Sequence, residues 1–182
     1  MIARPKFNVF IAISLDGYIA GPNDELDWLE SERMIIEGED FGYKKFSSQM
    51  DVILMGKNTY LKVSGFPEWP YRGKRLIVYS TSLTNVTQEG VEIFAGSEQE
   101  LINKLGNEQV KNVYVDGGIT ISNLLNINLI DSMIISVIPI ILGSGKRLFN
   151  DIKTPHNLEL ESTKSYPNGL VQLVYSNGFG ST

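Results

Sequence analysis

Short apolar runs alternate with longer amphipathic segments along most of the 182-residue chain. The runs are rich in valine, isoleucine, leucine and aromatic residues and are bounded by turn-forming residues, which favours buried strands. The predicted strands are Phe7–Ile13, Val52–Met55, Arg75–Tyr79, Val91–Ala95, Asn112–Val115 and Met133–Ile140. The helices predicted between them are Asp40–Gln49, Asn58–Val63, Glu98–Leu105 and Thr120–Asn126.

The C-terminal part of the chain has a different pattern. Two alternating segments, Asn157–Ser165 and Leu170–Ser176, flank a turn that contains Pro167 and Gly169, which predicts an antiparallel hairpin. Alternating strands and helices before it predict an α/β sheet covered on both faces and closed by the hairpin. No internal repeat or linker interrupts the pattern, so the sequence predicts one domain over residues 1–182.

Composition and charge exclude several kinds of function. The net charge is −5 and no run of basic residues occurs, which argues against nucleic-acid binding. The chain has no cysteine and one histidine, so thiolate and histidine-rich metal sites are excluded and no metal is expected. No apolar run approaches the length of a membrane span, and a cytoplasmic protein is the simplest interpretation. Any chemistry must use carboxylates, lysines, hydroxyls, the backbone or a bound cofactor.

Two predicted strands end in glycine immediately before a helix. In VILMGKNTY, residues 52–60, the glycine lets a ligand approach the backbone, and Lys57 can meet a phosphate. Asn58 or Thr59 can cap the helix that follows. In VYVDGGITISNLL, residues 113–125, two glycines precede a similar helix start. Neither segment matches a complete phosphate-loop pattern, so each alone fits an ordinary turn as well as a nucleotide site.

Two further loops contain polar residues. Residues 14–29, SLDGYIAGPNDELDWL, follow the first strand and could form a lid or a surface turn. Residues 139–149, PIILGSGKRLF, contain Lys146 and Arg147 in a glycine-flexible turn. For this second loop the pattern favours a solvated connection.

The segments FIAISLDGYIAG, DVILMGKNTY, LIVYSTS, VYVDGG and LIDSMIISVIPIILGSGKRLF occur in this order along the chain. Together they resemble the dihydrofolate reductase fold, and in particular the branch of the riboflavin-biosynthesis reductase domain and its stand-alone relatives. The resemblance covers nearly the whole chain. It implies a three-layer α/β/α protein with a mixed, mainly parallel eight-stranded sheet that ends in an antiparallel hairpin. It also implies an NADPH-dependent reductase whose cofactor lies across the carboxyl ends of the strands.

The resemblance also implies which residues bind NADPH. Those near the nicotinamide, the phosphates and the adenosine are Ala12, Ile19, Gly21, Gly56, Lys57, Asn58, Thr59, Ser80, Thr81, Gly117, Gly118, Ile119 and Thr120. Lys57 replaces the arginine that the family usually places near the 2′-phosphate, and a lysine gives charge without a two-pronged fork. Asp116 stands where dihydrofolate reductases have another glycine, as is typical of the riboflavin branch.

On the substrate side, the resemblance places the catalytic acid at Asp40 and its partner hydroxyl at Ser136. Reduction of a C=N or C=O bond by hydride builds negative charge that a proton must quench. A carboxylate can also pair with the N–H edge of a 2-amino-4-oxopyrimidine ring. Partial burial is expected to raise the pKa of Asp40 and to help it relay a proton. The alternative for Asp40 is an exposed helix cap.

The substrate stays open between a pterin such as 7,8-dihydrofolate and the pyrimidinone phosphate of riboflavin synthesis, because both rings present the same edge. Lys74 occupies the position of the arginine with which folate reductases bind glutamate, so folate is not specifically supported. A nucleotide-binding module without turnover is a hypothesis from another class, because it needs the glycine turns but not the acid. Relatives in this branch are commonly dimers, which makes a homodimer possible.

Overall fold

The computed structural model describes residues 4–178. Its strands are β1 (Lys6–Ser14), β2 (Tyr18–Ala20), β3 (Val52–Gly56), β4 (Leu76–Tyr79), β5 (Val91–Phe94), β6 (Asn112–Asp116), β7 (Ile130–Ile138), β8 (Lys146–Arg147), β9 (Leu158–Ser165) and β10 (Val171–Asn177). The helices are α1 (Tyr43–Ser48), α2 (Lys57–Ser64), α3 (Glu98–Asn107) and α4 (Gly118–Leu125), and a 3₁₀ turn covers Glu32–Met34.

Eight strands form one mixed sheet in the order β5-β4-β3-β6-β1-β7-β10-β9. The pairs from β5 to β7 are parallel, whereas β10 is antiparallel to both β7 and β9. The predicted fold class, with its mainly parallel sheet and terminal hairpin, is therefore confirmed. Strands β2 and β8 pair separately as a small antiparallel ribbon.

Each face of the large sheet carries its own apolar core. On one face, Phe7 and Val9 of β1 pack in the same cluster as buried leucines of α3 and α4. On the other face, Ile53 and Met55 of β3 share a cluster with Phe46 of α1 and with Tyr60 of α2. Alternate residues of a strand point to opposite faces, so each central strand contributes to both cores. The result is three layers, with helices on both sides of the sheet.

Most predicted bounds differ from the structure by one or two residues, and two elements differ by more. Strand β7 begins at Ile130 rather than Met133, because Ile130 already pairs with Phe7 of β1; the carboxylate of Asp131 also accepts hydrogen bonds from Arg4 and from the amide of Phe7. Helix α1 begins at Tyr43 rather than at residue 40. The two preceding residues have left-handed φ angles, 56° at Phe41 and 86° at Gly42, which a helix cannot contain. Within residues 4–178, no helix is long and apolar enough to cross a membrane.

Candidate functional site

A cavity of about 780 Å³ opens beyond the carboxyl ends of β1, β3, β4 and β6. This is where open α/β sheets bind their ligands, and the volume is within the range of small-molecule sites. Twelve of the thirteen residues predicted to bind the cofactor line it: Ala12, Ile19, Gly56, Lys57, Asn58, Thr59, Ser80, Thr81, Gly117, Gly118, Ile119 and Thr120. The thirteenth, Gly21, lies beside the cavity in a turn whose amide donates to the carbonyl of Glu25.

The two glycine turns fit into one another at the floor of this cavity. Gly117 has a φ of 92°, and a Cβ added there would overlap with Oγ1 of Thr59. A Cβ at Gly56 would lie 3.0 Å from Oγ1 of Thr120. Each glycine therefore makes room for a threonine of the other turn. The segments that the sequence pattern singled out separately form one continuous surface.

Two helices begin at this surface without a side-chain cap. Helix α2 starts at Lys57 with Gly56 as its N-cap, and α4 starts at Gly118 with Gly117 as its N-cap. The prediction that Asn58 or Thr59 caps the helix is wrong, because α2 begins before both of them. The first N–H groups of a helix have no partner within it, and together with the helix dipole they favour an anion. Both helix starts can therefore receive phosphate oxygens.

Lys57 lies beside the loop that follows β4. Its Nζ donates to the hydroxyl of Ser82 at 3.3 Å; Lys57 is half-buried and Ser82 is exposed. The hydroxyl of Ser80 accepts hydrogen bonds from the amides of Ser82 and Leu83, so Ser80 shapes the turn. A cation and a group of hydroxyls thus line the end of the cavity beyond β3 and β4.

Asp116 is the last residue of β6 and keeps part of its surface open to the cavity. Burial raises the pKa of its carboxyl, although hydrogen bonds from the hydroxyl of Tyr71 at 2.9 Å and the amide of Gly117 at 2.8 Å oppose the rise. Tyr71 is buried, and its own pKa is well above the ordinary value because of burial and the nearby carboxylate. An acid whose pKa is shifted upward beside a ligand cavity is a candidate proton donor.

The sequence analysis missed this pair as a functional site. Asp116 was noted only as a mark of the riboflavin branch, although an acid directly before two glycines at a strand end was a usable signal. Tyr71 lies 45 residues away in a loop, and nothing in the local pattern connects it to Asp116.

Asp40 does not have the properties that the sequence analysis expected. Its carboxylate accepts hydrogen bonds from the amides of Lys44 at 2.8 Å and Gly42 at 3.0 Å, at the start of α1. These bonds lower the pKa of Asp40, so the predicted rise is wrong. The geometry is that of the alternative, a helix cap. Contact between the same carboxylate and a substrate stays a prediction.

Ser136 is buried on β7 and is connected to the segment of Asp40 through a residue that the sequence did not indicate. Nε2 of Gln172 donates to the hydroxyl of Ser136 at 3.1 Å and to the carbonyl of Phe41 at 3.0 Å. Gln172 thereby connects β10 and β7 to the left-handed turn before α1. Ser136 is also paired with Ala12 on the neighbouring strand β1; Ala12 lines the cavity, whereas neither Ser136 nor Asp40 does.

Asp16 connects the two loops that the sequence analysis treated separately. Its carboxylate accepts hydrogen bonds from the hydroxyl of Ser14 at 2.7 Å and from the amides of Leu142 at 3.0 Å and Gly143 at 2.7 Å. Desolvation opposes the shift, but these bonds outweigh it and lower the pKa of Asp16 to about 2. The loop after β7 is thus fixed against the first loop. Lys146 and Arg147 are exposed, as a solvated connection requires, and they also line the cavity.

Asp16→Asn is expected to lower thermal stability at neutral pH, because an amide is a weaker acceptor than a carboxylate. The pKa is depressed on folding from 3.8 to about 2, so this stabilisation is present above pH 3.8 and is lost as the pH falls through the folded value. The difference in Tm between the two proteins should therefore narrow as the pH is lowered from 5 towards 3. Calorimetry over that range tests the prediction, and a constant difference would contradict it.

Comparisons with known proteins agree with this architecture. The family model of the RibD C-terminal domain matches residues 5–172. The uncharacterized protein YwjB of Bacillus subtilis (strain 168) is 34% identical over 173 residues, which cover 93% of this chain and 97% of YwjB. A crystal structure from Shewanella sp. PV-4, assigned provisionally to riboflavin biosynthesis, has a TM-score of 0.88 and 35% identity, covering 94% of this chain and 98% of that one.

A more distant structure is a bifunctional enzyme of Thermotoga maritima, named as a diaminohydroxyphosphoribosylaminopyrimidine deaminase and 5-amino-6-(5-phosphoribosylamino)uracil reductase. Its TM-score is 0.72 at 16% identity, and the match covers 96% of this chain but 57% of that enzyme. At this identity the likeness concerns the fold alone. The family model covers almost all of the described residues, and the chain therefore belongs to the family of RibD C-terminal domains.

Proposed function

We propose that the protein is an NADPH-dependent reductase that transfers hydride to a small nitrogen heterocycle of the 2-amino-4-oxopyrimidine or pterin type. The observation that carries the proposal is the combination of two features in one cavity. Its floor has two uncapped helix starts separated by interlocking glycine turns, and its wall contains a carboxyl with a raised pKa. The two helix starts can bind the phosphates of a dinucleotide, and the carboxyl can supply the proton that reduction requires.

The residues present fit NADPH. The N-terminal amides of α2 and α4 would hold phosphate oxygens, and Lys57 would meet the 2′-phosphate beside Ser82. Ala12 and Ile19 would lie against the nicotinamide ring, since both line the cavity beyond β1. When bound, the nicotinamide supplies the hydride. The chain's own residues bind and orient the reactants and donate the proton.

In this proposal Asp116 donates the proton to the heteroatom that gains negative charge. Its raised pKa keeps a larger fraction of the carboxyl protonated than an ordinary aspartate would have. Tyr71 positions the carboxyl by donating to Oδ2, and the amide of Gly117 holds Oδ1. The same contacts leave part of Asp116 facing the cavity.

Asp40 takes the orienting role in this scheme. A lowered pKa keeps its carboxylate ionised, which suits pairing with the amino and ring N–H groups of an aminopyrimidinone. Gln172 would keep Ser136 and the segment of Asp40 at a constant separation. The sequence-based hypothesis gave orientation and proton transfer to one acid, and we propose that two acids divide them.

The experiment for this proposal is a substrate screen with consumption of NADPH as the readout. 7,8-Dihydrofolate and the phosphoribosylaminopyrimidinone named for the Thermotoga relative are the first compounds to test. Turnover with either supports the reductase and identifies the ring. Tight NADPH binding without turnover on any aminopyrimidinone or pterin would favour the non-catalytic module instead.

Lys57→Ala should raise the KM for NADPH roughly tenfold while changing the KM for NADH less than about twofold, because a charge-assisted hydrogen bond to the 2′-phosphate is lost. Steady-state kinetics with both cofactors measures the two ratios. Lys62→Ala is a useful comparison, because Lys62 lines the same cavity one turn further along α2. If Lys57→Ala raises the KM for NADPH and for NADH by the same factor, Lys57 does not bind the 2′-phosphate.

A further inference from the structure

Two cations of β8, Lys146 and Arg147, line the cavity. Three carboxylates also line it, those of Asp24, Glu98 and Asp116. Within residues 4–178, no carboxylate lies within 4.0 Å of either cation, although six ion pairs form elsewhere. Two adjacent positive charges in a concave wall raise the local concentration of anions.

The side chain of Arg147 is held in one orientation by a neutral partner. Its guanidinium lies over the ring of Tyr18, 4.6 Å from the centroid, and Nη2 donates to the tyrosine hydroxyl at 3.1 Å. Tyr18 is buried and paired with Arg147 across the β2–β8 ribbon. A cation–π contact orients the guanidinium without neutralising it. Its remaining N–H groups stay available to a ligand.

The backbone on both sides of the two cations is also fixed. Before them in the chain, the carboxylate of Asp16 accepts hydrogen bonds from the amides of Leu142 and Gly143. After them, Leu148 is fully buried, its amide donates to the carbonyl of Gly17 at 3.1 Å, and its carbonyl accepts the hydroxyl of Ser122 at 3.2 Å. A binding loop that is already ordered loses little conformational entropy when a ligand arrives.

The β8 backbone also contacts the start of α4. A Cβ added at Gly118 would lie 2.9 Å from the carbonyl oxygen of Arg147 and 3.0 Å from Cδ1 of Ile19. Gly118 is the first residue of α4, whose N-terminus has no side-chain cap. The cations of β8 and the first amides of α4 therefore belong to the same part of the cavity wall.

We propose that Lys146 and Arg147 bind the diphosphate of the cofactor, as a second anion-binding site distinct from Lys57. This inference rests on the proposed function. Lys57 begins α2 after β3, whereas Lys146 and Arg147 lie in the separate β2–β8 ribbon, where the carbonyl of Arg147 approaches the start of α4 after β6. The two cationic regions therefore lie beside different helix starts. A phosphorylated dinucleotide likewise has two anionic centres, the 2′-phosphate and the diphosphate, which a ribose separates.

The test compares the binding of NADPH with that of adenosine 2′-phosphate, which has the 2′-phosphate but no diphosphate. Lys146→Ala and Arg147→Gln should each weaken NADPH binding about tenfold, because each removes a charge-assisted hydrogen bond, and should leave adenosine 2′-phosphate unchanged. Lys57→Ala should weaken both ligands. Arg147→Lys should recover part of the affinity, and Lys153→Ala, which removes an exposed lysine outside the cavity, should change neither ligand.

Calorimetric titration gives the dissociation constants, and Lys146→Ala keeps the test valid if Arg147→Gln disturbs Tyr18. Unchanged NADPH affinity in both variants would overturn the diphosphate site and leave the proposed function standing. Unchanged NADPH affinity combined with weaker binding of ribose 5-phosphate, titrated as a third ligand, would overturn it in favour of a substrate phosphate. Failure of the unaltered protein to bind NADPH would overturn the proposed function and this site together.

Discussion

Asp116→Asn is expected to lower kcat for the reductase reaction roughly 10²- to 10⁴-fold, the usual contribution of general acid catalysis. Asparagine has nearly the same shape: its oxygen can accept from the amide of Gly117, and its NH2 group can donate to the hydroxyl of Tyr71, which donates to the carboxylate in the unaltered protein. The affinity for NADPH should therefore change less than about twofold. Single-turnover oxidation of NADPH separates the chemical step from cofactor binding.

The pH dependence gives a second measurement of the same role. If protonated Asp116 is the acid, kcat/KM should fall as the pH rises through its raised pKa, and this fall should be absent in Asp116→Asn. Burial disfavours the charged form, so stability falls as the pH rises from the ordinary value of 3.8 through the raised one. The variant should consequently be more stable than the unaltered protein at neutral pH. A combination of lower kcat and higher Tm is difficult to explain by misfolding.

Asp40→Asn is the matched control, because it removes the other candidate acid, which does not itself line the cavity that Asp116 faces. We expect it to raise the KM for the heterocycle and to keep the pH dependence, since an orienting carboxylate acts on binding rather than on the proton. If Asp40→Asn abolishes turnover and Asp116→Asn does not, the two roles are reversed.

The parts of the fold that could be predicted are those in which one physical effect dominates. Val52–Met55 is a buried strand in a parallel sheet, and its continuous apolar run indicates this directly. Ser97 and Glu100 form a capping box, and the predicted start of α3 at Glu98 agrees with the structure. The glycines at the ends of β3 and β6 identified one wall of the cavity, because each leaves room that a Cβ would fill.

The parts that could not be predicted depend on contacts between distant residues. The pKa of Asp40 is set by two amides whose positions follow from left-handed φ angles at Phe41 and Gly42. Lys146 and Arg147 resemble any exposed cations until Asp16, 126 residues before Leu142, fixes their loop beside the cavity. Tyr71 and Gln172 act through partners far away in sequence, so no local pattern identifies them.

Gly117→Ala is expected to have the largest effect among single changes in the cofactor wall. A left-handed φ costs a residue with a Cβ roughly 1–2 kcal/mol. At this position the Cβ would also overlap with Oγ1 of Thr59 and displace the first turn of α2. Both helix starts would then lose their relative positions, so we expect NADPH affinity to fall at least about tenfold as well as a loss of stability.

Gly73→Ala separates the two contributions. Gly73 also has a left-handed φ, 74°, but a Cβ there would meet no atom within 4 Å. It should therefore show the backbone cost alone, measured as the free energy of unfolding in urea, with unchanged NADPH binding. Adding Thr59→Ala to Gly117→Ala should recover part of the lost stability, because the overlapping hydroxyl is removed. Gly117→Ala and Gly73→Ala could instead lose the same free energy of unfolding and both bind NADPH normally. In that case the turns at Gly56 and Gly117 do not depend on each other, and NADPH binding does not require their contact.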